Sequence, residues 1–160
     1  MKQIILTLLI TFFLTNNSYS AGSSSTSSSS SNYDKAVKLI KSAKKYEQKE
    51  KVDKAKKNYE KAQKLLIKFN NKNPNNPDTL NYLGFTTRKI GDFANGEKYY
   101  LQGLMIEPNH NGINEYLGEL YVATNRIELA KERLEVLKSC NCDEYNELKS
   151  VIEGNKSSKY

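Results

Sequence analysis

The sequence has little of what an enzyme active site needs. It contains one histidine and two cysteines in 160 residues. It has no glycine-rich phosphate loop, no His-Glu-x-x-His motif and no serine elbow. His110 follows Pro108 in a predicted turn, where a solvent-facing residue is favoured over a catalytic base. We therefore predict that the protein is not an enzyme and uses no cofactor and no metal ion.

Long apolar runs are also scarce. The run at residues 4–14 is far shorter than the roughly 20 residues that cross a bilayer as a helix, so we predict no stable transmembrane span. It follows Lys2 and precedes the small residues Ser18 and Ser20, which is the pattern of a secretory signal peptide over residues 1–20. This predicts an exported protein, periplasmic in a bacterium, with secretion as the alternative.

A serine-rich stretch, "AGSSSTSSSSSN", follows at residues 21–32. It has no apolar side chains to offset the entropy of ordering, so we predict a disordered linker, and O-glycosylation is the less favoured interpretation. Beyond it, residues 33–154 are rich in Lys, Glu, Leu, Ala and Tyr and show no strand pattern. We predict an all-α domain there and a disordered tail at residues 155–160.

Charge is unevenly distributed in this domain. Residues 33–72 hold 14 lysines against 5 acidic residues (+9), whereas residues 73–160 hold 10 basic against 13 acidic residues (−3). The lysine-rich 33–72 segment contains no arginine to read base edges, so no nucleic acid partner is predicted. A solvated face is favoured, and contact with an anionic surface is the next interpretation.

The sequence repeats with a period of 34 residues. Residues 81–100 align with residues 115–134, so that Tyr82–Gly84 falls on Tyr116–Gly118 and Gly96 on Ala130. A Leu-Gly pair, small residues at later fixed positions and a closing Pro108 make up the tetratricopeptide signature. The sequence thus resembles the tetratricopeptide repeat family, most strongly over residues 77–110.

The resemblance implies an all-α, right-handed solenoid of helical hairpins with about three repeats and a C-terminal capping helix. A degenerate first copy begins 41 residues before the second, and its second helix is expected to end near Pro74 and Pro77. In the third copy Asn114, Leu137 and Cys142 depart from the family pattern. The predicted repeats lie at about 36–76, 77–110 and 111–142. The capping helix is predicted at 143–153, with Asp143 as its N-cap and Gly154 at its end.

Three glycines fall within predicted helices, at Gly84, Gly96 and Gly103. Each costs about 1 kcal/mol relative to alanine in a helix interior. In this architecture small residues lie where helices cross closely, and the packing offsets that cost. We predict that Gly84→Leu would overpack such a crossing.

The resemblance also implies a function. In the family, the first helix of each repeat lines a concave groove that holds peptides or protein segments, so we predict an adaptor with a peptide or protein partner. Phe85 is interpreted as an exposed anchor, with packing against the neighbouring helix as an equal alternative. The family's clamp for C-terminal carboxylates is not predicted, because only Asn81 and Tyr82 lie near its positions. The predicted groove residues are Asp78, Asn81, Tyr82, Phe85, Arg88, Lys89, Glu115, Tyr116 and Glu119.

Cys140 and Cys142 are the remaining chemically reactive pair. In an exported protein they favour a disulfide that closes a small ring at the turn before the capping helix; free thiols and a soft-metal or exchange site are the alternatives. Two further functions therefore stay open. One is a structural or assembly component of an envelope complex, and the other a redox or metal-handling protein that uses these cysteines.

Overall fold

The computed structural model describes residues 26–156, with side chains from residue 32 onward. This part of the chain forms seven α-helices and no strand. The predicted signal peptide and residues 21–25 and 157–160 lie outside the described residues. The helices are α1 (Thr26–Glu47), α2 (Val52–Asn70), α3 (Pro77–Lys89), α4 (Phe93–Ile106), α5 (Asn111–Ala123), α6 (Ile127–Leu137) and α7 (Asp143–Ile152).

The helices pack as three successive hairpins and a cap. The pairs α1–α2, α3–α4 and α5–α6 make the most extensive contacts, α2 packs on α3, and α4 packs on α5. The last helix, α7, covers α5 and α6. The prediction of an all-α helical-hairpin solenoid is confirmed.

All three hairpins turn in the same way. In each one a backbone N–H after the turn donates to the carbonyl five residues earlier, and the residue between the helices has a positive φ: Glu50 (57°), Gly91 (100°) and Asn125 (59°). A positive φ at the end of a helix lets the chain reverse while the last carbonyls keep a donor. The bonds join Lys51 to Tyr46, Asp92 to Thr87 and Arg126 to Tyr121, at 2.9, 3.1 and 2.7 Å. The degenerate first copy is therefore a structural repeat, 41 residues before the second.

Side-chain caps define where both helices of the second hairpin begin. Asn76 caps α3 through a 2.8 Å bond to the Thr79 N–H, and Pro77 occupies the first helical position, where no N–H is needed. Asp92 caps α4 by accepting from Asn95 N at 3.1 Å. At α7 the structure corrects the prediction by one residue, because Cys142 is the N-cap and Asp143 the first helical residue.

Glycines lie where α3 and α4 cross. A methyl group on Gly84 would overlap the ring of the buried Tyr100, and one on Gly96 would lie 3.2 Å from the Gly84 carbonyl oxygen and 3.3 Å from the Arg88 backbone nitrogen. Gly103 leaves room for Ile113 in the same way. The two helices therefore meet backbone to backbone, as the predicted role of these glycines requires.

Two apolar clusters fill the spaces between the helices. The first joins α1, α2 and α3 around Ile40, Tyr59, Leu66 and Leu83, all at most 2% exposed. The second joins α4, α5 and α6. Tyr116 borders both clusters, so α5 is packed against the first hairpin as well as against its own.

Helix α1 begins earlier than the sequence predicts. It starts at Thr26, so residues 26–32 of the predicted linker are helical in the structure. Extending an existing helix avoids the cost of nucleation, and serine costs less than about 0.7 kcal/mol per residue relative to alanine. At the other end, Lys156 forms a salt bridge with Glu147, so the start of the predicted tail lies against α7. None of the helices in the described part is long and apolar enough to traverse a bilayer.

Candidate functional site

A cavity of about 410 Å³ opens where the first turns of α3, α5 and α7 come together. Helix α3 contributes three side chains to its wall, the turn between α4 and α5 forms its floor and rim, and α7 adds one carboxylate. Its lining consists of Asp78, Asn81, Tyr82, Glu107, Asn109, His110, Asn111, Gly112, Glu115, Tyr116 and Glu144. Five of the predicted groove residues, Asp78, Asn81, Tyr82, Glu115 and Tyr116, are thus brought together at one site.

Phe85 does not belong to this cavity. It is 5% exposed, and its ring centroid lies 5.6 Å from that of Tyr59 and 5.0 Å from that of Tyr116. The interpretation of Phe85 as an exposed anchor is corrected accordingly: it joins the first apolar cluster, which matches the packing alternative. Tyr116 approaches α3 closely enough to cover the ring from solvent.

Arg88 and Glu119 are also internal. Arg88 Nη2 lies 2.9 Å from Glu119 Oε2, and Arg88 Nη1 donates to the Tyr116 carbonyl at 2.7 Å. The two side chains are 1% and 8% exposed. Burying two charges is costly unless they are paired and hydrogen-bonded, as these are. They connect α3 to α5 and are not available to a partner, contrary to the prediction.

Lys89 makes an equivalent connection to the first hairpin. Its ammonium lies 2.5 Å from Glu47 Oε1, and Tyr59 Oη donates to the other oxygen of the same carboxylate at 2.9 Å. The Lys89 side chain is 7% exposed, so it too is not a groove ligand. Three helices, α1, α2 and α3, meet at the Glu47 carboxylate.

Lys44 connects α1 to the aromatic rings beside the cavity. Its ammonium lies 4.7 Å from the centre of the Phe85 ring and donates to the Tyr116 hydroxyl at 3.2 Å. Cation–π contacts of this kind stabilise by about 0.5–2 kcal/mol, depending on exposure. Sequence analysis missed this residue, because one lysine among the 14 of the 33–72 segment carries no local sign of an inward contact.

His110 is built into the rim of the cavity. Its Nδ1 accepts from the Ile113 N–H at 3.2 Å, which makes it the N-cap of α5, and its Nε2 lies 3.2 Å from Asp78 Oδ1. Because Nδ1 accepts, Nε2 carries the proton and donates to Asp78. The side chain is 12% exposed, so the expectation of a solvent-facing residue is corrected: His110 lies in the predicted turn but orients Asp78.

Asn81 is the least satisfied polar side chain of the site. It is 8% exposed, and its Oδ1 is buried without a hydrogen-bond partner among the described residues. Gly112 packs directly against it: a methyl group there would lie 2.8 Å from Asn81 Nδ2. An unbonded buried amide oxygen costs about 1–3 kcal/mol, so the cavity wall contains an acceptor that no described residue satisfies.

Glu115 has a strongly shifted acidity. Its pKa is raised to about 8, chiefly by burial and then by the carboxylates of Glu119, Glu144 and Glu147, while Lys44 opposes the shift. Burial likewise raises the pKa of Tyr82, with a smaller contribution from Asp78. At neutral pH a large fraction of Glu115 therefore holds its proton in the empty cavity.

The cysteines lie apart from the cavity lining, in the turn between α6 and α7. A disulfide joins Cys140 to Cys142, whose Cα atoms are 5.2 Å apart, and the intervening Asn141 has φ 48°. No group of three or more His, Cys, Asp or Glu side chains suited to a metal ion occurs within residues 32–156.

The hairpins share one construction: a small buried residue at the corresponding position of the second helix (Ala55, Gly96 and Ala130), the same turn, and a 34-residue spacing between the second and the third. That combination decides the fold. The chain has the tetratricopeptide-repeat fold. No protein-family model and no curated protein matches the sequence. Among solved structures it is similar to the first tetratricopeptide domain of Spaghetti (RPAP3) bound to the HSP90 peptide SRMEEVD. That likeness has 23% identity and a TM-score of 0.48, and covers 77% of this chain and 94% of the other.

Proposed function

We propose that this tetratricopeptide-repeat protein is a non-enzymatic interaction module that binds an extended segment of a partner protein in the cavity between α3, α5 and α7. The observation that carries the proposal is Asn81, a buried amide with an unsatisfied oxygen in the wall of an open cavity. Extended peptides offer backbone and side-chain donors at regular spacing, which is the chemistry this wall lacks.

The walls of the cavity support the same proposal because they are held in place before a ligand arrives. The Arg88–Glu119 pair connects α3 to α5, and the Lys89–Glu47 pair connects α3 to α1. A preformed site loses less conformational entropy on binding than one that must be assembled. Tyr82, half-buried at the mouth, offers an aromatic face with little rotamer freedom to lose.

Binding can be tested with a random-peptide display library, followed by calorimetry on the selected peptides. Asn81→Ala and Tyr82→Ala should each weaken binding by about 5-fold or more, since a lost hydrogen bond or aromatic contact contributes about 1 kcal/mol. Asn146→Ala, at an exposed asparagine of α7 outside the cavity, is the control and should bind as the parent does. Selected peptides that bind all three variants equally would refute the cavity as the site.

We also propose that the protein acts outside the cytoplasm, on the strength of the sequence pattern at residues 1–20. Fractionation of the source cells and N-terminal sequencing of the protein should give a chain that starts at Ala21. A chain that retains Met1 in the cytoplasmic fraction would contradict this. The assembly and redox functions, and contact of the lysine-rich 33–72 segment with an anionic surface, stay predictions.

A further inference from the structure

We propose that the cavity selects a positively charged side chain, a lysine or arginine within the extended segment of the partner. This inference rests on the proposed function and specifies the chemistry of the ligand at that same site. Four observations carry it: the charges that line the cavity, the acceptor at Asn81, the positions of the chain's own cations, and the electrostatics of Glu115.

The lining is acidic. It includes four acidic side chains, from Asp78, Glu107, Glu115 and Glu144, and no lysine or arginine. An anionic ligand such as a C-terminal carboxylate would meet acidic groups on every wall. The first turns of helices attract anions, but Asp78 and Glu144 already lie in the first turns of α3 and α7. The partial positive charge at the N-termini of these two helices is therefore already compensated by acidic side chains of the protein.

Asn81 supplies an independent second observation. Its Oδ1 has no partner and is covered from solvent, so a ligand would reach it once the amide turns toward the cavity. An ammonium with three N–H groups or a guanidinium with five would supply a donor there and keep others for the acidic side chains. A metal ion is a poorer match, because no cluster of three suitable ligands occurs among the described side chains. The site thus combines a neutral acceptor with several charged ones, which suits a multi-donor cation.

The chain's own cations near the cavity have partners within the protein. Arg88 bonds to Glu119 and to the Tyr116 carbonyl, and Lys44 lies against the Phe85 and Tyr116 rings. His110 donates to Asp78 from the tautomer that leaves the ring neutral. Within residues 32–156 neither Glu115 nor Glu144 forms a salt bridge.

Glu115 makes the proposed preference dependent on pH. Glu119, which pairs with Arg88 of α3, lies four residues after Glu115 on α5. Glu144 and Glu147 face Glu115 from α7, and Lys44 faces it from α1. Together with burial, these groups disfavour the ionised form of Glu115, whose pKa is about 8. A bound cation would favour the carboxylate, so binding should release a proton and strengthen as the pH rises from 6 to 9.

The partner's basic side chain has room along the aromatic wall. Lysine and arginine bury their methylene stems on apolar surface while the charged end reaches polar groups. The half-buried Tyr82 ring lies on one wall of the cavity, with Asn81 beside it in sequence. A stem against Tyr82 and a charged end at Asn81 and Glu115 would use the whole site.

The test uses acetylated and amidated heptapeptides, Gly-Ser-Ala-X-Ala-Ser-Gly, in which X is lysine, arginine, norleucine or glutamate. Blocking both ends removes the terminal charges. Binding to the purified protein is followed by NMR titration of the Asn81 side-chain amide and by calorimetry in two buffers of different ionisation enthalpy. The lysine and arginine peptides should bind at least 10-fold more tightly than the norleucine peptide. At pH 7 their binding should release a proton from Glu115 to the buffer, which calorimetry in the two buffers detects.

Two carboxamide variants separate charge from shape. Glu115→Gln should weaken the lysine peptide by about 5- to 10-fold, abolish the proton release and leave norleucine binding unchanged. Glu128→Gln, at an exposed glutamate of α6 outside the cavity, is the matched control and should change none of these. Urea unfolding of each variant verifies that it is folded.

The outcomes distinguish the two proposals. If norleucine or glutamate peptides bind as tightly as lysine and Tyr82→Ala weakens them all, the preference for a cation is refuted while the binding function stands. If no peptide shifts the Asn81 amide, and none is selected by display, both are refuted. If the protein dimerises and Glu115→Gln abolishes the dimer, the occupant is the lysine-rich 33–72 segment of a second copy, which overturns a separate partner.

Discussion

Arg88 Nη2 lies 2.9 Å from Glu119 Oε2 in a place where both side chains are almost wholly buried. This ion pair connects the second hairpin to the third across the inner side of the solenoid. Its position explains why two residues that belong to the expected ligand surface contribute to the architecture. It also leads to the first testable consequence.

Breaking the Arg88–Glu119 pair should be far more costly than replacing it. Arg88→Met leaves the Glu119 carboxylate buried without its partner, so we expect a loss of about 3–5 kcal/mol in the free energy of unfolding. The double variant Arg88→Met with Glu119→Leu should recover most of that loss. Urea unfolding of the parent, the two single variants and the double variant measures both the loss and its recovery. A single variant within 1 kcal/mol of the parent would contradict the paired arrangement.

The crossing of α3 and α4 should reject a large side chain at Gly84. Gly84→Leu places a branched side chain on the ring of Tyr100, so we expect a loss of about 1–3 kcal/mol or more. Ala94→Leu, at an exposed position of α4, serves as the control because it adds a similar volume to open solvent. Thermal or urea denaturation that ranks the two variants equally would refute the close approach of the helices.

Glu115 should make stability fall with rising pH. Its pKa is about 8 in the folded protein against an ordinary value of 4.5 for glutamate, so the folded state keeps a proton that the unfolded chain loses. The free energy of unfolding should therefore decline as the pH rises from about 4.5 to 8, and level off above that range. Glu115→Gln should remove this decline, whereas Glu128→Gln should retain it. The measurement is the urea midpoint at intervals of pH.

The cap that His110 places on α5 should be replaceable by another cap and not by alanine. His110→Ala removes the acceptor for the Ile113 N–H and should cost about 0.5–2 kcal/mol. Asparagine is among the best N-cap residues, so His110→Asn should restore most of that stability. Equal losses in both variants would show that the bond to Asp78, and not the cap, is what matters.

The Cys140–Cys142 disulfide should contribute modestly to stability, because it closes a very short loop. For such a loop the entropic stabilisation is about 1–2 kcal/mol. The double variant Cys140→Ser with Cys142→Ser should unfold at a slightly lower urea concentration, and amide exchange should accelerate mainly in α7. Faster exchange throughout α3 would show instead that the turn stabilises the whole solenoid.

The sequence predicts the repeat structure well because its signals are local. The 34-residue spacing, the small residues at Gly84, Gly96 and Gly103, and the stop at Gly154 each depend on neighbours within one or two helices. The hairpins they indicate are those of the structure, and helix bounds differ chiefly at Thr26, where α1 extends into the serine-rich stretch.

The candidate site is less accessible to such reasoning. Five of the nine predicted groove residues line the cavity, but Phe85, Arg88, Lys89 and Glu119 are buried by residues from elsewhere in the chain. Their partners Glu47, Tyr59 and Tyr116 lie 26 to 42 positions away in a degenerate or neighbouring copy, and no short sequence pattern indicates the contact. The acidity of the cavity depends likewise on Glu144, which reaches it only because α7 folds back on α5.

Tyr116 lines the cavity, and its hydroxyl accepts a hydrogen bond from the ammonium of Lys44, which lies 72 positions earlier in the sequence. An occupant that displaces this ring therefore disturbs α1 as well. Ligand binding in the cavity should therefore change the hydrogen-exchange rates of backbone amides in the first hairpin. Those rates would report binding without a label in the cavity.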